Sequence, residues 1–184
     1  MIDYGLPTTV EVNGVTRKVR TDYRAILDIM SALDDVELSG AEKAQVAIEI
    51  FYEDEIAPED LTAALEACFR FIDLGEDVKT NSSPKVVDWE KDFRFIIAPI
   101  NAVAGGDIRA LPYLHWWTFM AYYYDIGDCT FAQIVRIRDK QARGKSLDKD
   151  EREWYNRNRD LVDRQTRYTE AEEELLKLWG GVNG

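Results

Sequence analysis

The residues that could do covalent chemistry are few. The chain holds one histidine, His115, and two cysteines, Cys68 and Cys129. His115 and Cys129 are the closest approach to a nucleophile–base pair, since a thiol–imidazole dyad needs its two members within hydrogen-bond reach. In a helix that ends near Gly127, however, the two stand near opposite ends, about 18 Å apart along the axis at about 1.5 Å per residue. A packed cysteine and a histidine bonded to a neighbouring helix is the simpler reading. A single histidine supplies no His-rich metal site, and neither cysteine has a Cys or His at zinc-ligand spacing. There is no Gly-rich phosphate loop, no G-x-S-x-G and no H-E-x-x-H. The acidic runs Asp34-Asp35 and Glu53-Asp54-Glu55 read first as helix-end and loop charges. No catalytic residue, cofactor or metal site is expected, and the chain does not read as an enzyme.

The element that would position His115 is the aromatic stretch Leu111 to Phe131, LPYLHWWTFMAYYYDIGDCTF. Pro112 suits the first turn of a helix and Gly127 its stop. At about 100° per residue, Tyr113, Trp117, Met120 and Tyr124 fall on one line, with Trp116, Phe119 and Tyr123 beside it. His115, Thr118, Tyr122 and Asp125 are left on a narrow polar stripe. A helix apolar over most of its circumference belongs inside a bundle. Its polar stripe and length rule it out as a bilayer span, which needs about 20 mostly apolar residues.

The same stretch carries a resemblance. LPYLHWWTF and IGDCTF, followed by IVRIRDKQARGK and WYNRNRDLV, resemble a bacteriophage tail-region family named for gene product fifteen, over roughly residues 111 to 162. The resemblance implies a virion-assembly role in long-tailed phages: a tail assembly chaperone that holds the tape-measure protein soluble before the tail tube polymerises. Its implied partners are the tape-measure protein and other phage tail proteins, met in the host cytoplasm. The alternative is a structural connector or tail-completion protein retained in the virion. Tyr122 and Tyr123, at the margin of the aromatic arc, are the candidate partner-binding residues, because tyrosine buries a large ring while keeping its hydroxyl wet.

Composition fits a folded chain of 184 residues, with 46% hydrophobic and 32% charged side chains. A net charge of −12 argues against nucleic acid as a partner, since phosphate contacts need clustered Lys and Arg. The start, MIDYGLPTT, has neither the basic region nor the apolar run of a signal peptide. Charge is unevenly spread. Residues 21–92 hold 6 basic and 19 acidic side chains, whereas residues 133–168 hold 11 basic and 7 acidic. Opposite fields steer association and fix register, so the expectation is complementarity, either between the halves of one molecule or head-to-tail between copies in a homo-oligomer. Arg136, Arg138, Lys140, Arg143 and Lys145 should form the outer face of an amphipathic helix.

The fold class expected is mainly α: a single domain over 1–184, a bundle of about seven helices with an N-terminal β-hairpin in 1–20. Asn13-Gly14 between TTVEV and VTRKVR is a type I′ turn signal. Thr21 should cap a helix with Tyr23, Ile26, Leu27, Met30 and Leu33 on its apolar side. Ser39 and Glu42 have capping-box spacing. Pro58 opens a helix whose Leu61, Leu65, Cys68, Phe69 and Ile72 share a side. Residues 73–85 read as a flexible linker. Helices follow over Val87–Val103, which Pro99 should kink or shorten, over Thr130–Arg143 and Lys149–Leu161, and in a tail ending near Trp179.

Overall fold

The computed structural model describes residues 5–76 and 84–163, with eight α-helices and one two-stranded antiparallel sheet among them. Most of the linker expected at 73–85, and the tail helix near Trp179, lie outside the described residues. Two compact units divide the chain, Met1–Phe131 and Ala132–Gly184.

The first unit opens with β1 (Thr9–Val12) and β2 (Val15–Lys18), paired from Thr9↔Lys18 to Val12↔Val15. Asn13 and Gly14 have φ of 47° and 79°, the two positive values a type I′ turn requires. Two strands alone are marginal in water, and this hairpin is held at its base. Val19 bridges Tyr52, and the Arg20 N–H donates to the Phe51 carbonyl at 2.7 Å. The Arg20 guanidinium then donates through Nη1 to the carbonyls of Glu49, Ile50 and Tyr52 at 2.9, 2.8 and 2.6 Å.

Helix α1 (Tyr23–Asp34) packs against α2 (Gly40–Phe51), α4 (Trp89–Ala104) and α5 (Trp116–Tyr124). Its cap is Asp22, not Thr21; Thr21 is buried and shares a 2.6 Å hydrogen bond with the Tyr113 hydroxyl. Ile26 and Ile29 are fully buried. The Ser39–Glu42 capping box opens α2 as its spacing implies, and Ala47, Ile48 and Phe51 face inward. A 3₁₀ turn, Pro58–Asp60, leads into α3 (Leu61–Ile72). The inward residues of α3 are Ala64, Ala67, Cys68 and Phe71, so its buried face lies about a quarter turn from the expected one, at about 100° per residue. Helix α4 runs through Pro99 without being shortened and stops at Gly105 in the left-handed region.

The aromatic stretch is shorter as a helix than its composition suggests. Helix α5 starts at Trp116, and Leu111 to Leu114 precede it as a bend and irregular chain. His115 is therefore its N-cap rather than a member of a polar stripe. Trp116, Phe119 and Met120 are the buried residues, whereas Tyr113 and Tyr124 are 51% and 70% exposed. The reason lies in α3. The indole N–H groups of Trp116 and Trp117 donate to the Ile72 and Phe71 carbonyls at 2.9 and 3.0 Å. Those carbonyls belong to the last turn of α3, where the regular helix bonds run out, and that of Phe71 also accepts from the Leu74 N–H at 3.2 Å. Gly75, at φ 87°, lets the chain turn away beneath the Trp117 ring, which a Cβ there would meet at 3.4 Å.

In the second unit, α6 (Thr130–Ala142, which begins two residues before the boundary), α7 (Lys149–Arg157) and α8 (Arg159–Val162) follow in order. Asp148 and Glu151 form a capping box at the start of α7. The basic side chains of α6 do not all face outward. Arg138 is buried and donates to the Val162 and Leu161 carbonyls at 2.7 and 2.8 Å, and Lys140 pairs with buried Glu151. Arg138 and Lys140 are thus engaged inside the unit.

Candidate binding groove

A backbone junction organises the first unit. Asp22 and His115 form an isolated antiparallel bridge, with the Tyr23 N–H donating to the Leu114 carbonyl at 2.9 Å and the Trp116 N–H to the Thr21 carbonyl at 2.7 Å. The Asp22 carboxylate accepts from the Arg24 N–H through Oδ1 and from the Leu114 N–H through Oδ2, both at 3.0 Å. Nδ1 of His115 accepts from the Trp117 N–H at 3.0 Å, so Nε2 carries the proton and donates to the Pro7 carbonyl at 2.9 Å. Both ring nitrogens are committed to backbone groups. The histidine holds three segments together and offers no nitrogen to a thiol.

Cys68 and Cys129 are not joined in a disulfide. Burial pushes the Cys68 thiol up to about 12, far from the thiolate range a nucleophile needs. Among the described residues no group of three His, Cys, Asp or Glu is placed to hold a metal ion, and no helix is long and apolar enough to cross a membrane.

Tyr123 is half-buried, its ring 5.1 Å from that of Trp89 and 6.0 Å from that of Phe131. Desolvation pushes its hydroxyl up to about 12. Tyr122 is likewise half-buried. Neither lines a broad cleft of the same unit; the exposed tyrosine at the end of α5 is Tyr124.

That cleft, of about 760 Å³, lies between α2 and α3. Its floor is apolar: Ala41, Ala44 and Ile48 from α2, Leu61 and Leu65 from α3, and Ile56 between them. The α2 residues are spaced i, i+3, i+7 and the α3 residues i, i+4, so each set lies on one helix face. Alanine at two of the three α2 positions leaves the trough open. The quarter-turn rotation of α3 matters here, since it turns Leu61, 42% exposed, away from the core. Glu49, in the last turn of α2, and Glu53, Asp54 and Glu55, just beyond it, rim one end. Tyr52 closes the floor, its buried hydroxyl donating to the Ala64 carbonyl at 2.8 Å, and burial raises that hydroxyl well above the usual tyrosine range. Sequence reading placed Leu61 and Leu65 in the core and the acidic run on a loop. The usable signal was Ala41 and Ala44 sharing a face with Ile48, small residues where a core helix would carry large ones.

A second cleft, of about 400 Å³, lies between α1 and α4 and is lined by Tyr23, Leu27, Trp89 and Phe93. Its basic residues are already engaged: Arg24 donates to Asp22 and to the Leu111 carbonyl, and Arg109 pairs with Asp107.

No curated protein and no solved structure matches this chain. A family model does: the one described as Bacteriophage Gp15 protein matches residues 2–163, which takes in both hairpin and helices. The chain belongs to the Bacteriophage Gp15 protein family and is a phage protein.

Proposed function

We propose that this phage protein is a tail assembly chaperone, which binds the tape-measure protein in the host cytoplasm and keeps it soluble until the tail tube assembles around it. The observation that carries the reading is the α2–α3 groove, an apolar trough bounded by charge. A groove of that form accepts the apolar face of an amphipathic helix. A long helical client exposes such faces before it is enclosed, and unprotected they would meet each other and aggregate. The acidic excess of residues 21–92 supports the same role, since excess charge of one sign resists further association of a complex.

Co-expression tests it. The tape-measure protein should move from the pellet to the soluble fraction when this chain is present, and the two should co-purify. No shift in solubility with both chains well expressed would overturn the reading. A structural connector makes the opposite prediction for purified virions: a connector is present in them, a chaperone absent.

A further inference from the structure

The rim of the α2–α3 groove carries information about the polar side of whatever occupies it. Glu53, Asp54 and Glu55 are consecutive and exposed, and none makes an ion pair with a described residue. Glu49 accepts a hydrogen bond from the neutral Gln45 side chain at 2.8 Å. The basic group in the lining, Arg20, has its Nη1 committed to three carbonyls at the end of α2. Four carboxylates therefore face solvent beside an apolar floor.

We infer that the groove takes an amphipathic helix of about two turns whose polar face carries Lys and Arg toward the Glu53–Glu55 end; the identity of its source, a tape-measure segment, rests on the chaperone reading. Length follows from the floor: Ala41 to Ile48 covers roughly 10 Å at about 1.5 Å per residue. Helical form follows from the i, i+3, i+7 and i, i+4 ridges, which interdigitate with ridges of the same spacing. Sign follows from the rim. The chain's own residues 169–179, TEAEEELLKLW, are a competing apolar occupant, but they carry four Glu and one Lys, the wrong charge for this rim.

The test uses the full chain and three labelled helical peptides in fluorescence anisotropy at low ionic strength. Two share one apolar face and differ in a Lys/Arg or a Glu polar face; the third is the 169–179 sequence. The basic peptide should bind roughly tenfold tighter than its acidic twin, the sum of several modest exposed pairs, and the preference should shrink in high salt. Replacing Glu53, Asp54 and Glu55 together by Lys should abolish or reverse it, at exposed positions that folding tolerates. Ala44→Trp, which fills the trough, should weaken both peptides. Equal affinity for the twins, a preference unmoved by the Lys replacements, or tighter binding of 169–179 than of the basic peptide would overturn the inference. The two readings fail separately. Peptide discrimination without solubilisation of the tape-measure protein leaves the groove and removes the chaperone. Solubilisation that survives the Lys replacements, with no peptide preference, does the reverse.

Discussion

Asp22 and His115 face each other across one antiparallel bridge, and each caps the helix that begins at the next residue. Helices distant in sequence thus start from a common point, and the Pro7 carbonyl ties the hairpin to it through the histidine ring. His115→Ala removes a helix cap and the Pro7 bond together. A lost cap costs about 0.5–2 kcal/mol, so the variant should melt lower. His115→Asn, which keeps a cap acceptor, should recover part of the loss in thermal denaturation. Equal melting of the two variants would show that capping is not the histidine's contribution.

Trp116, not Trp117, anchors the core. Its ring is 1% exposed and stacks on Phe119 at 5.5 Å. Trp116→Ala should cost about 3–5 kcal/mol, the range for a deleted buried aromatic, and it also removes the donor to the Ile72 carbonyl. Trp117 is half-buried, and its loss should cost roughly half as much, in proportion to the smaller area it hides. Urea titration of both variants would order them.

The two thiols should separate by reactivity. Cys68 is fully buried and its thiol is raised by that burial, whereas Cys129 is partly accessible. A thiolate-selective reagent near pH 8 should label Cys129 in the native protein and Cys68 only on unfolding. Cys129→Ser should leave native protein essentially unlabelled. Fast labelling of that variant would contradict the packing around α3.

How much of this was legible in the residues depends on whether the signal was local. Asn13-Gly14 and Ser39–Glu42 act within a few residues, and turn and capping box stand where the spacing puts them. The membership of helix faces was less legible. In α3 and α5 the apolar arc is wide enough to be buried in several orientations, and the choice between them is made by partners far away in sequence. The Trp116 and Trp117 indoles reach the end of α3, and that contact rotates both helices relative to a reading of either one alone. The groove was hidden for a related reason. It is made of what is missing, the side-chain bulk at Ala41 and Ala44, together with a loop whose position follows from the Val19–Tyr52 bridge.

Acid should weaken the fold through its capping carboxylates. Hydrogen bonds from Arg109 hold the Asp107 carboxyl well below its usual range, with Asn101 adding to the effect. A depressed carboxyl contributes stability that is fully present above its unfolded value, about 3.9, and lost as pH falls through its folded value. Asp107→Asn should therefore melt lower than wild type at pH 7 and show a shallower decline from pH 4 downward. Parallel curves for the two proteins would show that the pairing contributes nothing to the acid transition.

Hydrogen exchange on the co-purified complex with the tape-measure protein tests the central claim most directly, because it reports where the client lies. Relative to the free chain, amides over Gln45–Glu55 and Leu61–Leu65 should exchange more slowly, with the Asp22–His115 junction unchanged. Protection confined to other parts of the chain, or none in a complex that holds together, would contradict the α2–α3 groove as the client's seat.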